Sequence, residues 1–444
     1  MIRSSTRTGV AQALVSEQPT GLVRAIGRWS LAALMVNTMI GASIFGTPSL
    51  IAGHLGRLSP AGYLVAAAGL AVIMACFAEV ASQFREAGGP YLYAREAFGQ
   101  FVGIQIGWLT WLSRISAGSA VANLFISYLS EFLPAVNNPL ARTGVLALLI
   151  AFLAMVNYRG VNGGNRLSNF FTGTKLVLLA LFIGGGIMAL ALQPGIRVAP
   201  AAVPVTAAHW FEAIILMVYA FAGFEAALLI SGEARNPRRD VPIALLVALI
   251  TTTLLYIAMQ YVVIYTLPDA AASAKPAVDA ARRFLGPFGV SFVGAGALVC
   301  IYGYMSASML HTPRLTFAMG ERRDFPSFFA AIHPRFRTPY LSIVTFSVLL
   351  LLFSAGGTFR WNATLAAASR LFIYGSVAGA LIVMRRKRPR ADAFRLPAGM
   401  LFGVLGLMFT GVLITRMHIP EMVVFACTFA IALLNWLAVR NRSE

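Results

Sequence analysis

Twelve apolar runs follow one another along this chain, near residues 30–52, 60–83, 98–131, 142–157, 166–193, 207–231, 242–267, 286–319, 338–355, 362–384, 397–417 and 419–438. Glycine, proline or charge separates each from the next, as turns between membrane crossings require. Of the 444 residues 58% are hydrophobic and only 11% charged, and the mean hydropathy is +0.76, above what a water-soluble globular protein carries. The pattern predicts an all-α polytopic membrane protein with 12 transmembrane helices.

A net charge of +19 raises the question of a nucleic-acid partner, and the placement of that charge answers it. With both termini in the cytoplasm, 23 of the 35 lysines and arginines fall on that side, 8 on the other and 4 within the runs. This is the asymmetry of the positive-inside rule for an even number of crossings. It predicts a multi-pass protein of the cell membrane with cytoplasmic termini, in contact with lipid and not with nucleic acid. Residues 1–28 form a basic tail that stays attached, because the run behind it is longer than a signal-peptide core and has no small-residue cleavage site. Cys76, Cys300 and Cys427 stand singly in apolar runs and read as core filler. The five histidines lie mostly near span ends and form no ligand set, so no metal, no cofactor and no enzyme is expected.

The first run is interrupted. Ile40-Gly41-Ala42-Ser43-Ile44-Phe45-Gly46-Thr47-Pro48 sits in its middle, where two glycines weaken a helix and a proline removes a donor. A helix with this sequence opens near its centre. Unpaired backbone groups at membrane depth cost several kcal/mol each, so an open turn persists only inside protein or against a wet cavity. The freed amides of Gly41, Ala42, Ser43 and Ile44 then suit a carboxylate at the start of the following half-helix, and the carbonyls before the break suit an ammonium.

The sixth run has a matching weak point, Tyr219-Ala220-Phe221-Ala222-Gly223-Phe224-Glu225, with a buried acid behind its glycine. If helices 1–5 and 6–10 are two halves of opposite topology, Gly41 and Gly223 occupy equivalent places. Lys175 and Arg370, each about ten residues into the fifth helix of its half, support that pairing. Arg114 stands near the middle of the third run, where a charge needs a carboxylate partner, a substrate or water. Glu225 or Glu79 is the candidate partner. The expected units are the tail 1–28, a first repeat 29–193, a second repeat 207–384 and a peripheral hairpin 396–439 without buried charge. The cluster Arg385-Arg386-Lys387-Arg388-Pro389-Arg390 reads as a topology anchor.

From Arg24 to about Pro389 the chain resembles amino-acid permeases of the amino acid–polyamine–organocation (APC) superfamily, which share the leucine-transporter (LeuT) fold. The likeness rests on Ile40 to Phe45, Glu86 to Tyr93, Phe221 to Glu225, Glu233 to Pro242 and Pro313-Arg314, in that order. It implies a LeuT-type 5+5 inverted repeat plus a C-terminal hairpin. It also implies that the amides of Gly41, Ala42, Ser43 and Ile44 take a substrate carboxylate, while carbonyls near Ile40, Ala220 and Phe221 receive its amino group, beside Gly223 and Phe224. Phe221 resembles the aromatic that closes the pocket from outside. Ser43 departs from the family, which commonly has glycine there. Lys175 fits the fifth-helix lysine that replaces a sodium ion in proton-coupled members, and Ser306 and Ser308 read as remnants of the sodium site.

The function expected from this resemblance is secondary active transport of an amino acid or amine by alternating access, coupled to protons through Lys175. The alternative is an exchanger without a proton step. A channel is disfavoured because two broken helices suit an occludable midplane site. If Arg114 or Arg370 is unpaired and faces the cavity, an acidic substrate side chain would complement it.

Overall fold

A computed structural model describes residues 27–84, 89–160, 164–228, 235–387 and 394–440, with side chains left undescribed at 164–172 and 237. Residues 1–26 of the basic tail, Glu86 to Gly88, Glu233, Ala234 and Arg388 to Arg390 lie outside the described residues. Within the described residues all regular structure is helical.

The first apolar run divides into three pieces: α1 (Arg28–Met39), a four-residue 3₁₀ turn (Ala42–Phe45) and α2 (Thr47–Leu55). Gly41 between them is extended, with φ −79° and ψ −165°. Then come α3 (Ser59–Ser82), α4 (Gly89–Phe98), α5 (Gln100–Leu129), α6 (Pro139–Tyr158) and α7 (Gly164–Leu192). The sixth run is also in pieces, α8 (Ala207–Ala220) and α9 (Phe224–Leu228), parted by a turn at Phe221 to Gly223. The remainder is α10 (Pro237–Thr266), α11 (Pro276–Glu321), α12 (Tyr340–Gly356), α13 (Phe359–Lys387), α14 (Gly399–Ile414) and α15 (Ile419–Arg440). Gly286, with φ +60°, kinks α11 ahead of Pro287.

Among the described residues eight helical stretches are long and apolar enough to cross a membrane, and α12 and α14 are apolar but shorter. Twelve apolar runs do not translate into twelve long helices, for a physical reason. At about 1.5 Å per residue, neither α1 with 12 residues nor α2 with 9 spans a core of about 30 Å alone.

The core is one buried cluster running through almost every helix. The helix α5 packs along α13, α1 and α3 lie against α10, and α11 lies against α5 and α7. The outward faces of α6, α7 and α12 stay apolar and exposed, at Leu148, Phe152, Val177 and Leu352 for example. Such faces match a lipid solvent, in which burying leucine side chains gains little.

The C-terminal hairpin differs from the charge-free expectation. Glu421 opens α15 and is buried, and Asn435 donates to the Asp324 carbonyl at 2.6 Å, so α15 is tied to the segment behind α11. Cys76 and Cys300 are buried, but Cys427 is exposed and fills no core. Arg385 is engaged rather than a free anchor. It makes a two-pronged ion pair with Glu79 at 2.6 Å, and the Leu396 amide donates to the same carboxylate at 2.8 Å.

Candidate functional site

The two breaks lie side by side. Gly223 has φ +118°, in the region that favours glycine, and a Cβ there would overlap the Thr38 carbonyl oxygen of α1. The backbones of the two breaks thus approach too closely for a side chain to stand between them. A single side chain bridges them: the Tyr256 hydroxyl of α10 lies 2.7 Å from the Ala220 carbonyl oxygen, 3.1 Å from that of Met39 and 3.2 Å from the Ser43 hydroxyl. Ser43 in turn donates to the Ala220 carbonyl at 3.3 Å.

Other side chains hold the first break open. Thr47 donates to the Ser43 carbonyl at 3.0 Å, Tyr128 to that of Phe45 at 2.8 Å and Gln260 to that of Pro48 at 3.1 Å. The Ser43 carbonyl also accepts from the Gly46 amide at 3.0 Å, and such side-chain and local bonds are how an irregular segment is accommodated away from water. Phe221 is buried edge-on to Tyr63 and Tyr256, with ring centroids 6.1 and 5.3 Å apart, and Phe224 packs on Phe77 and Tyr374.

The backbone groups are less free than the sequence reading has them. The Gly41 amide donates to the Met39 carbonyl at 2.8 Å, leaving Ala42, Ser43 and Ile44 as the amides that open the 3₁₀ turn. Two of the three carbonyls expected to receive an amino group already accept hydrogen bonds. Ala220 accepts from α10 and Ser43. Ile40 accepts from Lys175, whose Nζ donates at 2.5 Å there and at 2.8 Å to Asn37. Lys175 on α7 thus sits at the C-terminal end of α1, where the helix dipole favours a cation.

Ser306 and Ser308 do not converge. Residues two apart on a helix point about 200° away from each other, and Ser308 faces α5 beside Gly118. A two-hydroxyl sodium site is not built from this pair.

Beyond Gly223 the buried acid has a partner. Glu225 accepts from the Gly223 amide at 2.9 Å and pairs with Arg370 Nε of α13 at 3.5 Å. Arg370 also lies over the Tyr219 ring, 5.9 Å from its centroid. Glu79 is held by Arg385, so of the two candidate partners of Arg114 one is committed elsewhere and the other pairs with Arg370. Arg114 has neither an ion pair nor a hydrogen bond among the described residues. Among the described residues no group of three or more His, Cys, Asp or Glu is placed to hold a metal ion.

Sequence reasoning did not single out Tyr256, Tyr63 or Tyr374. A signal existed for the first. Thr252, Tyr256 and Gln260 stand four apart on one face of α10, and all three are buried. Polar residues at helical spacing inside an apolar run need partners within the protein.

Residues 26–437 match the family model described as amino acid permease. The chain belongs to the amino acid permease family. Similar proteins in Bacillus subtilis (strain 168) include a methylthioribose transporter, 28% identical over 85% of this chain and 84% of its own length. The serine/threonine exchanger SteT is 28% identical over 76% of this chain and 77% of its own. The branched-chain amino acid permease BcaP is 25% identical over 94% and 90%. This permease is therefore a multi-pass membrane transporter and not an enzyme.

Proposed function

We propose that this permease carries amino acids across the cell membrane by alternating access, with both termini cytoplasmic and proton coupling through Lys175. The substrate lies between the two breaks, its carboxylate on the amides of Ala42 to Ile44 and its amino group near the carbonyls of Ile40, Ala220 and Phe221. The observation that carries this reading is the pair of hydrogen bonds from Lys175 Nζ to the last carbonyls of α1, at 2.8 and 2.5 Å.

A protonated Lys175 ties α7 to the negative end of the half-helix that bears the site. A neutral amine has fewer donors and no charge with which to hold it. Proton loss thus loosens the contact that positions α1, and so links protonation to the site's geometry. Support for twelve crossings in a 5+5 inverted repeat with a C-terminal hairpin comes from the two matched breaks and from Lys175 and Arg370 at corresponding depths. On this reading the units are 1–28, 29–193, 207–384 and 396–439, and α4 lies on the cytoplasmic side.

The test is uptake of radiolabelled amino acids into proteoliposomes under an inward proton gradient. The K175A variant is expected to lose gradient-driven accumulation while retaining substrate binding; accumulation unchanged in K175A would remove the coupling role. SteT, an exchanger by name, favours a second reading in which amino acids exchange without protons. Uptake that needs internal substrate and ignores the gradient decides for that reading.

A further inference from the structure

A small cavity of about 40 Å³ lies on the α4 side of the second break, lined by Arg114, Glu225, Arg370, Tyr374, Ser113 and Thr110 among others. Among the described lining residues its charge does not balance. Two guanidinium groups face one carboxylate, and Glu225 is already held by the Gly223 amide and by Arg370 Nε. Among the described residues no second carboxylate lines the space.

The donors left over are specific atoms. Arg370 is 5% exposed, and its Nη1 has no hydrogen-bond partner among the described residues. Arg114 enters from α5, half-buried and without an acceptor among the described residues. The hydroxyl of Tyr374, 1% exposed, neighbours Glu225 without the geometry of a hydrogen bond. Ser113 and Thr110 spend their protons on backbone carbonyls, at 3.4 and 2.7 Å. An unpaired guanidinium nitrogen buried among helices is costly, and a charge-assisted acceptor removes that cost. By volume the space holds about three water-sized spheres, enough for a halide ion or one carboxylate group and too little for a whole amino acid.

We propose that this cavity is an anion site, distinct from the pair of helix breaks, in which a monovalent anion bridges Arg114 and Arg370 with Tyr374 as a further donor. The anion is either an inorganic halide or the side-chain carboxylate of an acidic solute. The proposal does not rest on proton coupling or on the transport reading, because it concerns binding alone.

The test uses the full-length protein, purified with sodium gluconate as the only salt, and follows thermal unfolding as sodium chloride, sodium formate, L-aspartate or L-alanine is added. Chloride or formate is expected to raise the melting temperature saturably, by at least about 2 °C. R114Q is expected to lose that shift and R114K to keep part of it. A shift from chloride alone assigns an inorganic halide. A shift from formate and L-aspartate without one from chloride assigns a carboxylate. No shift from chloride, formate or L-aspartate overturns the proposal, as does a shift that R114Q retains in full. Equal shifts from L-alanine and L-aspartate with none from chloride or formate also overturn it, since they report the zwitterion site alone. If R114Q does not fold, equilibrium dialysis of the wild-type protein with radiolabelled chloride decides. One ion per chain displaced by formate is the expected result, and binding of neither chloride nor labelled formate overturns the site.

Discussion

The Tyr256 hydroxyl has one proton and three oxygen neighbours, on Met39, Ala220 and Ser43, so it can donate to only one of them at a time. The two half-helices it joins are thereby held with a choice of bonds rather than a fixed one. Y256F is expected to lower stability by about 1–3 kcal/mol, the cost of leaving buried acceptors unmet. It is also expected to weaken amino-acid binding, because both breaks lose their common support. Chemical unfolding and ligand-induced thermal shifts check the two effects separately, and a variant as stable and as tightly binding as the wild type would contradict this role. G223A makes a companion prediction. Its methyl group would meet the Thr38 carbonyl in a backbone conformation that alanine resists, so folded yield and melting temperature should fall more than for alanine at Gly144, which meets nothing within 4 Å.

At the scale of elements, α4, α5 and α15 meet on one residue just past α11, α4 and α5 on the carboxylate of Asp324 and α15 on its main-chain carbonyl. Asp324 lies beyond the last residue of α11 and is fully buried. It pairs with Arg95 at 2.9 Å and accepts from Gln100 at 3.0 Å and from Tyr91. Arg95 keeps 35% of its side chain in solvent, so its charge is shared with water, and burial pushes the Asp324 carboxyl up to about 7. The sign follows from proton counting. Between the ordinary value of 3.8 and about 7 the folded protein keeps a proton that the unfolded chain has lost, so this group's contribution to stability falls as pH rises through that window. D324N should lack that slope. Melting curves of wild type and D324N at matched pH values from 4 to 8 test this, and parallel pH dependences would refute it. The latch was not legible in the sequence, where Asp324 is one of several charges in the polar stretch between two apolar runs. The contacts of Asp324 with Tyr91 and Asn435 join residues more than 100 positions apart. The helix breaks were legible for the opposite reason: Gly41, Gly46, Pro48 and Gly223 act through local backbone conformation.

Across the whole molecule the two ends of the bundle are fastened by different chemistry. At the α4 end the ties are Asp324 with Arg95 and Glu79 with Arg385. At the opposite end Glu212 of α8 reaches His54 of α2 at 3.5 Å, Arg360 of α13 at 3.3 Å and His418 ahead of α15 at 3.9 Å. Glu212 keeps 28% of its side chain in solvent, so each of these pairs is individually weak. Their value lies in geometry. One carboxylate joins the two half-helices that carry the proposed site to α13, the helix that bears Arg370. A carrier that alternates must release one set of ties while keeping the other, because a substrate site open at both ends would leak. Removing one set should therefore loosen one end alone. In hydrogen exchange, E212Q is expected to speed exchange in α2 and in the first turns of α8 and α13 by up to about fivefold, leaving α4 unchanged. E79Q, which weakens the Glu79–Arg385 tie, is expected to do the reverse, speeding exchange at the ends of α3 and α13 that this pair joins and leaving α2 unchanged. If either substitution loosens both ends equally, the ends do not behave as separate gates, and closure must then reside in the packing around Phe221, Tyr63 and Tyr256 instead.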